Sequence, residues 1–80
     1  MLQKYIRTAM RRAHYEMIEG AQPFYGSIPE CQGVWAAAET LEACREELES
    51  ALDDWILFRL SRQLEVPVID GIDLAVREVA

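Results

Sequence analysis

Eighty residues with 51% hydrophobic and 28% charged side chains make one small domain and exclude a wholly disordered chain. No apolar run approaches the roughly 18–20 residues that span a bilayer. The N-terminus also lacks an apolar stretch ahead of a small-residue cleavage site, so a cytoplasmic protein without membrane association is expected. The formal net charge of −6 argues against general nucleic-acid binding. It hides a split: Lys4, Arg7, Arg11 and Arg12 fall within the first twelve residues, where there is no acid, and the rest holds all fourteen acidic side chains.

The elements are expected in the order helix, three strands, helix, strand. Leu2, Tyr5, Ile6, Ala9, Met10 and Ala13 recur at helical spacing, with Lys4, Arg7, Thr8, Arg11 and Arg12 facing elsewhere. A helix this short is marginal alone and needs a surface to lie on. Residues 1–12 are therefore read as a basic amphipathic helix, set before an α+β domain over 13–80. From His14 the period shortens: Tyr15, Met17 and Glu19 alternate with His14, Glu16 and Ile18, and Gly20 opens a turn to Pro23. Phe24, Gly26 and Ile28 alternate with Tyr25 and Ser27 until Pro29 stops the strand, and a loop through Cys31 and Gly33 leads to a third strand, Val34–Ala38. Short connections make these an antiparallel meander.

Thr40 is suited to cap a long helix with Glu42 in its first turn. The apolar stripe Leu41, Cys44, Leu48, Ala51, Leu52, Trp55, Ile56 and Leu60 lays that helix on the sheet. Helix propensity persists to about Gln63, and Pro67 forbids continuation. Asp70-Gly71 signals a turn, and alternation over residues 72–78 suggests a last strand, paired with the first strand of the same molecule or of a neighbour.

The stretch Tyr25-Gly26-Ser27-Ile28-Pro29, then Gly33-Val34-Trp35-Ala36, then Thr40-Leu41-Glu42 resembles the signature of HicB-type antitoxins, over roughly residues 13–75. The continuation through Cys44, Leu48, Leu52 and Trp55 is similar to the small solitary HicB-like proteins. Two positions depart from the pattern: Ala38 stands where a glycine is frequent, and Gln32 where a second proline is. The resemblance implies a partial ribonuclease H-like α+β fold with a three-stranded meander, one covering helix and a fourth strand. It implies a non-enzymatic protein that covers a small HicA-type endoribonuclease toxin. The chain ends about where the family's DNA-binding module begins, so autonomous DNA binding is not expected. The alternative is a solitary structural or regulatory homo-oligomer with no toxin partner.

Candidate chemistry is sparse. A two-metal nuclease needs converging carboxylates. Glu16 or Glu19, Glu46, and Asp70 or Asp73 do not match that spacing, and solvated surface acids are the preferred reading. Cys31, Cys44 and His14 are too few for structural zinc, and no cofactor or metal is expected. His14 has no sequence neighbour that would make it a base, Cys44 belongs to the apolar stripe, and Cys31 sits in a loop with room to be exposed. Tyr15, Tyr25 and Trp35 are either core or a binding face. Together with the acids Glu46, Glu49 and Asp53 they are the expected partner-binding residues, the acids offering charge to a basic toxin. Lys4, Arg7 and Arg11 are the expected contacts to an acidic neighbour in a dimer or tetramer.

Overall fold

The computed structural model describes residues 2–74. Element α1 spans Leu2–Arg11, β1 His14–Met17, β2 Phe24–Ser27, β3 Trp35–Ala38 and α2 Leu41–Ser61. The strands form one antiparallel sheet in the order β1-β2-β3, with Tyr15 opposite Gly26 and Gly26 opposite Ala36. The expected α+β architecture is thus present through α2. The expected last strand over 72–78 lies for the most part outside the described residues. Within them, Ile72 makes only an isolated bridge to Ile69.

Helix α2 starts where the sequence places its cap. Thr40 is extended (φ −127°, ψ 159°), and its hydroxyl oxygen accepts from the Ala43 N–H at 3.1 Å. The helix then lays Cys44, Leu48, Leu52 and Ile56, all fully buried, across β3 and β2. These residues recur every fourth position, so they form one narrow line along the helix. Ala36 and Ala38 let that line approach closely, and the Cys44 thiol reaches the Ala36 carbonyl at 3.6 Å. Gly26 completes the small surface. A Cβ there would stand 2.9 Å from the Tyr15 ring and 3.2 Å from the Cys44 sulfur.

The helix ends in a Schellman turn. The Leu64 N–H donates to the Arg59 carbonyl at 2.8 Å and the Gln63 N–H to the Leu60 carbonyl at 3.2 Å. This turn needs a left-handed residue, and Gln63 supplies it at φ 57° despite its side chain. The Asp70-Gly71 turn is also realised. Both residues have positive φ, and Ile69 and Ile72 exchange main-chain bonds of 3.3 and 2.8 Å across it, as in a two-residue hairpin.

Helix α1 packs beside α2 and ties together segments far apart in sequence. Tyr5 is wholly buried and its hydroxyl donates to the Pro67 carbonyl at 2.6 Å. Arg12, expected to face away with the other basic residues, instead bridges Glu30, at 2.8 Å, and Asp70. Thr8, likewise expected to face elsewhere, is buried. It is accommodated there because its hydroxyl donates back to the Lys4 carbonyl at 2.8 Å. Val66, Ile69 and Ile72 close the core from the C-terminal side.

Two outcomes follow. Gln63→Gly should stabilise the protein by about 1 kcal/mol in urea unfolding, because glycine adopts the left-handed turn without a side-chain penalty. Ser61→Gly, inside the helix, should instead destabilise by roughly 0.5–1 kcal/mol. Burial raises the Tyr5 phenol above its ordinary range. A raised phenol gives stability that is complete below the unfolded value near pH 10 and is lost above it. Unfolding free energy should therefore fall as pH rises above about 10, and Tyr5→Phe should flatten that fall while lowering stability by about 1–2 kcal/mol at pH 8.

Candidate functional site

The sheet alternation sorts the exposed side chains onto two faces. Tyr15, Gly26 and Ala36 share the face beneath α2, since directly opposed residues point the same way. His14, Glu16, Tyr25, Ser27, Trp35 and Ala37 share the opposite face, which no described element covers. The three aromatics expected to act together are therefore divided. Tyr25 and Trp35 stack on the open face, with ring centroids 5.9 Å apart and planes at 17°, and Trp35 is 57% exposed. Tyr15 lies on the other side, where its ring covers Gly26 and remains 38% exposed. An aromatic laid over a cross-strand glycine replaces the packing that glycine lacks.

Beyond Tyr15, an open groove of about 930 Å³ runs between α1, β1 and α2. Ile6, Met10, Tyr15 and Leu41 give it an apolar floor, and Arg7, Arg11, Arg45, Glu49 and Asp53 its charged rim. The groove brings together residues that sequence reasoning assigned to separate roles: Arg7 and Arg11 from the basic helix, and Glu49 and Asp53 from the acidic one. Lys4 and Glu46 are exposed but do not line it. Arg45 of α2 stands on the same rim. Its place in the groove follows from the four-residue spacing Leu41, Arg45, Glu49, Asp53, which runs along one edge of α2.

The outer surface of α2 is strongly acidic. Glu42, Glu46, Glu49 and Asp53 follow one stripe, with Glu47 and Asp54 across the helix, and all six are exposed. Among the described residues, none of these six carboxylates has a cationic partner within 4 Å.

Both cysteines are buried, and burial raises both thiols. For Cys31 this corrects the exposed loop thiol that the sequence suggested. The loop turns back on itself, Cys31 N–H to Ile28 carbonyl at 2.9 Å and Val34 N–H to Cys31 carbonyl at 3.1 Å, and drives the side chain against Tyr5. Among the described residues, no three His, Cys, Asp or Glu side chains gather as a metal-holding group. Nor is any helix there long and apolar enough to cross a membrane. Asp70, one of the carboxylates weighed for a nuclease, is engaged by Arg12.

Comparison with known proteins adds a family and a solved relative. Residues 4–67 match the profile of the UPF0150-like family. A crystal structure of TTHA0281 from Thermus thermophilus is similar at 40% identity, with a TM-score of 0.91, covering 96% of this chain and 95% of that one. No curated protein matches.

The division of the aromatics is directly measurable. Tyr15→Ala should cost roughly 1–2 kcal/mol, because it uncovers Gly26 and the edge of Cys44. Trp35→Ala, on the open face, should change the urea-unfolding free energy by no more than about 0.5 kcal/mol. Equal losses from the two would contradict the facial assignment.

Proposed function

The chain belongs to the UPF0150-like family, matched over most of its length, and from that premise we propose that it is a HicB-like antitoxin. In this reading it binds and occludes a small, basic HicA-type endoribonuclease, and it acts as a homo-oligomer in the cytoplasm without catalysis. The observation that carries the reading is the acidic surface of α2. Six exposed carboxylates, none with a cationic partner within 4 Å among the described residues, stand on a rigid helix whose other side is locked into the core. An RNA-binding toxin must present cations to phosphates, and a pre-ordered carboxylate stripe competes for those cations at little conformational cost. The signature around Pro29, Gly33 and Thr40 supports the reading through the scaffold, since those residues set the loop, the turn and the cap that place α2.

The solitary homo-oligomer is the second reading, favoured by the bare Tyr25–Trp35 stack, which needs no toxin to gain from being covered. The two differ in genomic context: an adjacent reading frame for a basic toxin of similar size accompanies the first and not the second.

The toxin reading is tested by isothermal titration with a HicA-type endoribonuclease. Combined Glu46→Gln, Glu49→Gln and Asp53→Asn should weaken binding by at least ~10-fold, and raising salt should weaken the parent complex but change the triple variant less. Unchanged affinity in the triple variant would remove the electrostatic mechanism. No binding by the parent would remove the toxin partner.

A further inference from the structure

Among the described residues, strand β1 is the least covered element. All four of its side chains are exposed, Met17 at 71%, and among the described residues β2 is its sole strand neighbour. Its remaining edge also lacks the usual protection, having no lysine, no proline and no bulge between His14 and Met17. The hydrogen-bond alternation says which groups face that edge. The Ile18 N–H donates to the Pro23 carbonyl at 2.7 Å, so the bonded steps toward β2 are those of Ile18, Glu16 and His14. Tyr15 and Met17 therefore turn their main-chain N–H and C=O away from β2, out of the sheet.

We propose that two copies of this chain join through this edge, β1 antiparallel to β1 about a two-fold axis at Tyr15, making one continuous six-stranded sheet. The axis stands perpendicular to the sheet, so like faces adjoin and opposed residues must share parity. Centred on Tyr15, the register lets each Tyr15 exchange both main-chain bonds with the partner's Tyr15. It also places each Met17 N–H opposite the partner's Ala13 carbonyl. The Ala13 N–H is already given to the Met10 carbonyl at 3.2 Å, which ends the ladder there.

Charge selects this register over the one centred on Glu16. With Tyr15 at the axis, His14 lies directly opposite the partner's Glu16 on the open face, twice by symmetry, in the close, non-bonded type of pair. The imidazole then has a carboxylate to donate to. Shifting the axis to Glu16 would place two carboxylates against each other in that same close position, which is destabilising. Beneath the sheet, each Tyr15 ring stays over Gly26 of its own chain, and the partner's β1 backbone covers the side of the residue that is now exposed. On the open face, the row Trp35, Ser27, His14 continues into the partner's Glu16, Tyr25 and Ala37. Self-complementarity of one strand commits the edge to a second copy, an isologous contact that closes on itself.

This inference rests on the self-association part of the reading above and not on a toxin, so it is tested with the protein alone. Light scattering coupled to size exclusion should give twice the 9.2 kDa chain mass, or an even multiple. Tyr15→Cys should form a disulfide-linked dimer on mild oxidation, because bonded antiparallel pairs bring Cα atoms to about 5.5 Å. Glu16→Cys should link far less. His14→Glu, on an exposed side chain, should raise the dimer dissociation constant by at least ~10-fold by opposing two carboxylates. The exchange His14→Glu with Glu16→His should restore it. A monomer at about 100 μM, a concentration that detects even weak pairs, would overturn the proposal. So would equal cross-linking at positions 15 and 16, or a dimer indifferent to His14→Glu, which places the contact elsewhere, including on the chain's own residues beyond 74.

Discussion

The close seating of α2 on β3 and β2 is the contact on which the other features depend. It works because the sheet beneath is made of Ala36, Ala38 and Gly26, so a helix can descend until the Cys44 sulfur touches a β3 carbonyl. Close approach maximises dispersion contacts for the few large side chains available, Leu48, Leu52 and Ile56. It also has a geometric consequence. A single line of buried positions on a helix ~10–12 Å across covers about two strands spaced ~4.8 Å apart. The third strand is left outside, and that strand is β1. Its exposure on both faces thus follows from how the core is built.

Around α1, the chain adds long-range ties. Tyr5 fills the space between the loop after β2 and the segment after α2, and its buried hydroxyl satisfies the Pro67 carbonyl, which would otherwise lose a partner. Arg12 joins the same two segments from the surface, through Glu30 and Asp70. Exposed ion pairs of this kind contribute little each. Their effect is on direction: they fix where the chain leaves α1 and enters β1, and so how β1 presents its outer edge.

The sequence spoke clearly where periodicity and punctuation coincide. The α2 stripe, its Thr40 cap, the stop at Pro29 and the turn at Asp70-Gly71 all combine a pattern with a residue whose conformational preference is strong. It was silent on which of two alternating sets faces the helix. Tyr15 and Tyr25 are chemically identical, and they part because Tyr15 is paired with Gly26, which invites a ring over it, while Tyr25 stands between Glu16 and Ala37. Cys31 and Thr8 were misplaced for a related reason. A loop that folds back, and a hydroxyl that bonds its own helix, each bury a residue whose type and position suggest solvent. The sequence carries α2 to about Gln63, two residues past its end at Ser61, and no glycine marks the stop because Gln63 itself takes the left-handed position. For the partner-binding residues, exposure decides their availability, and exposure is a property of the packed molecule rather than of any single residue.

The charge split acquires a spatial meaning from the same packing. Arg12 is drawn into internal pairs, so the basic helix offers Lys4, Arg7 and Arg11. Arg7 and Arg11 meet Arg45, Glu49 and Asp53 around the groove, a rim of both signs. The outer stripe of α2, with Glu42 and Glu46, is of one sign. At physiological ionic strength, exposed charges more than about 8 Å apart are largely screened from one another. A partner therefore meets the charge of the surface it approaches, and not the net −6 of the whole. On the readings proposed above, a cation-rich protein would meet the carboxylate stripe, while a second copy would meet an imidazole and a carboxylate within one short strand, His14 and Glu16. These surfaces lie on different elements, so occupation of one leaves the other's side chains in place.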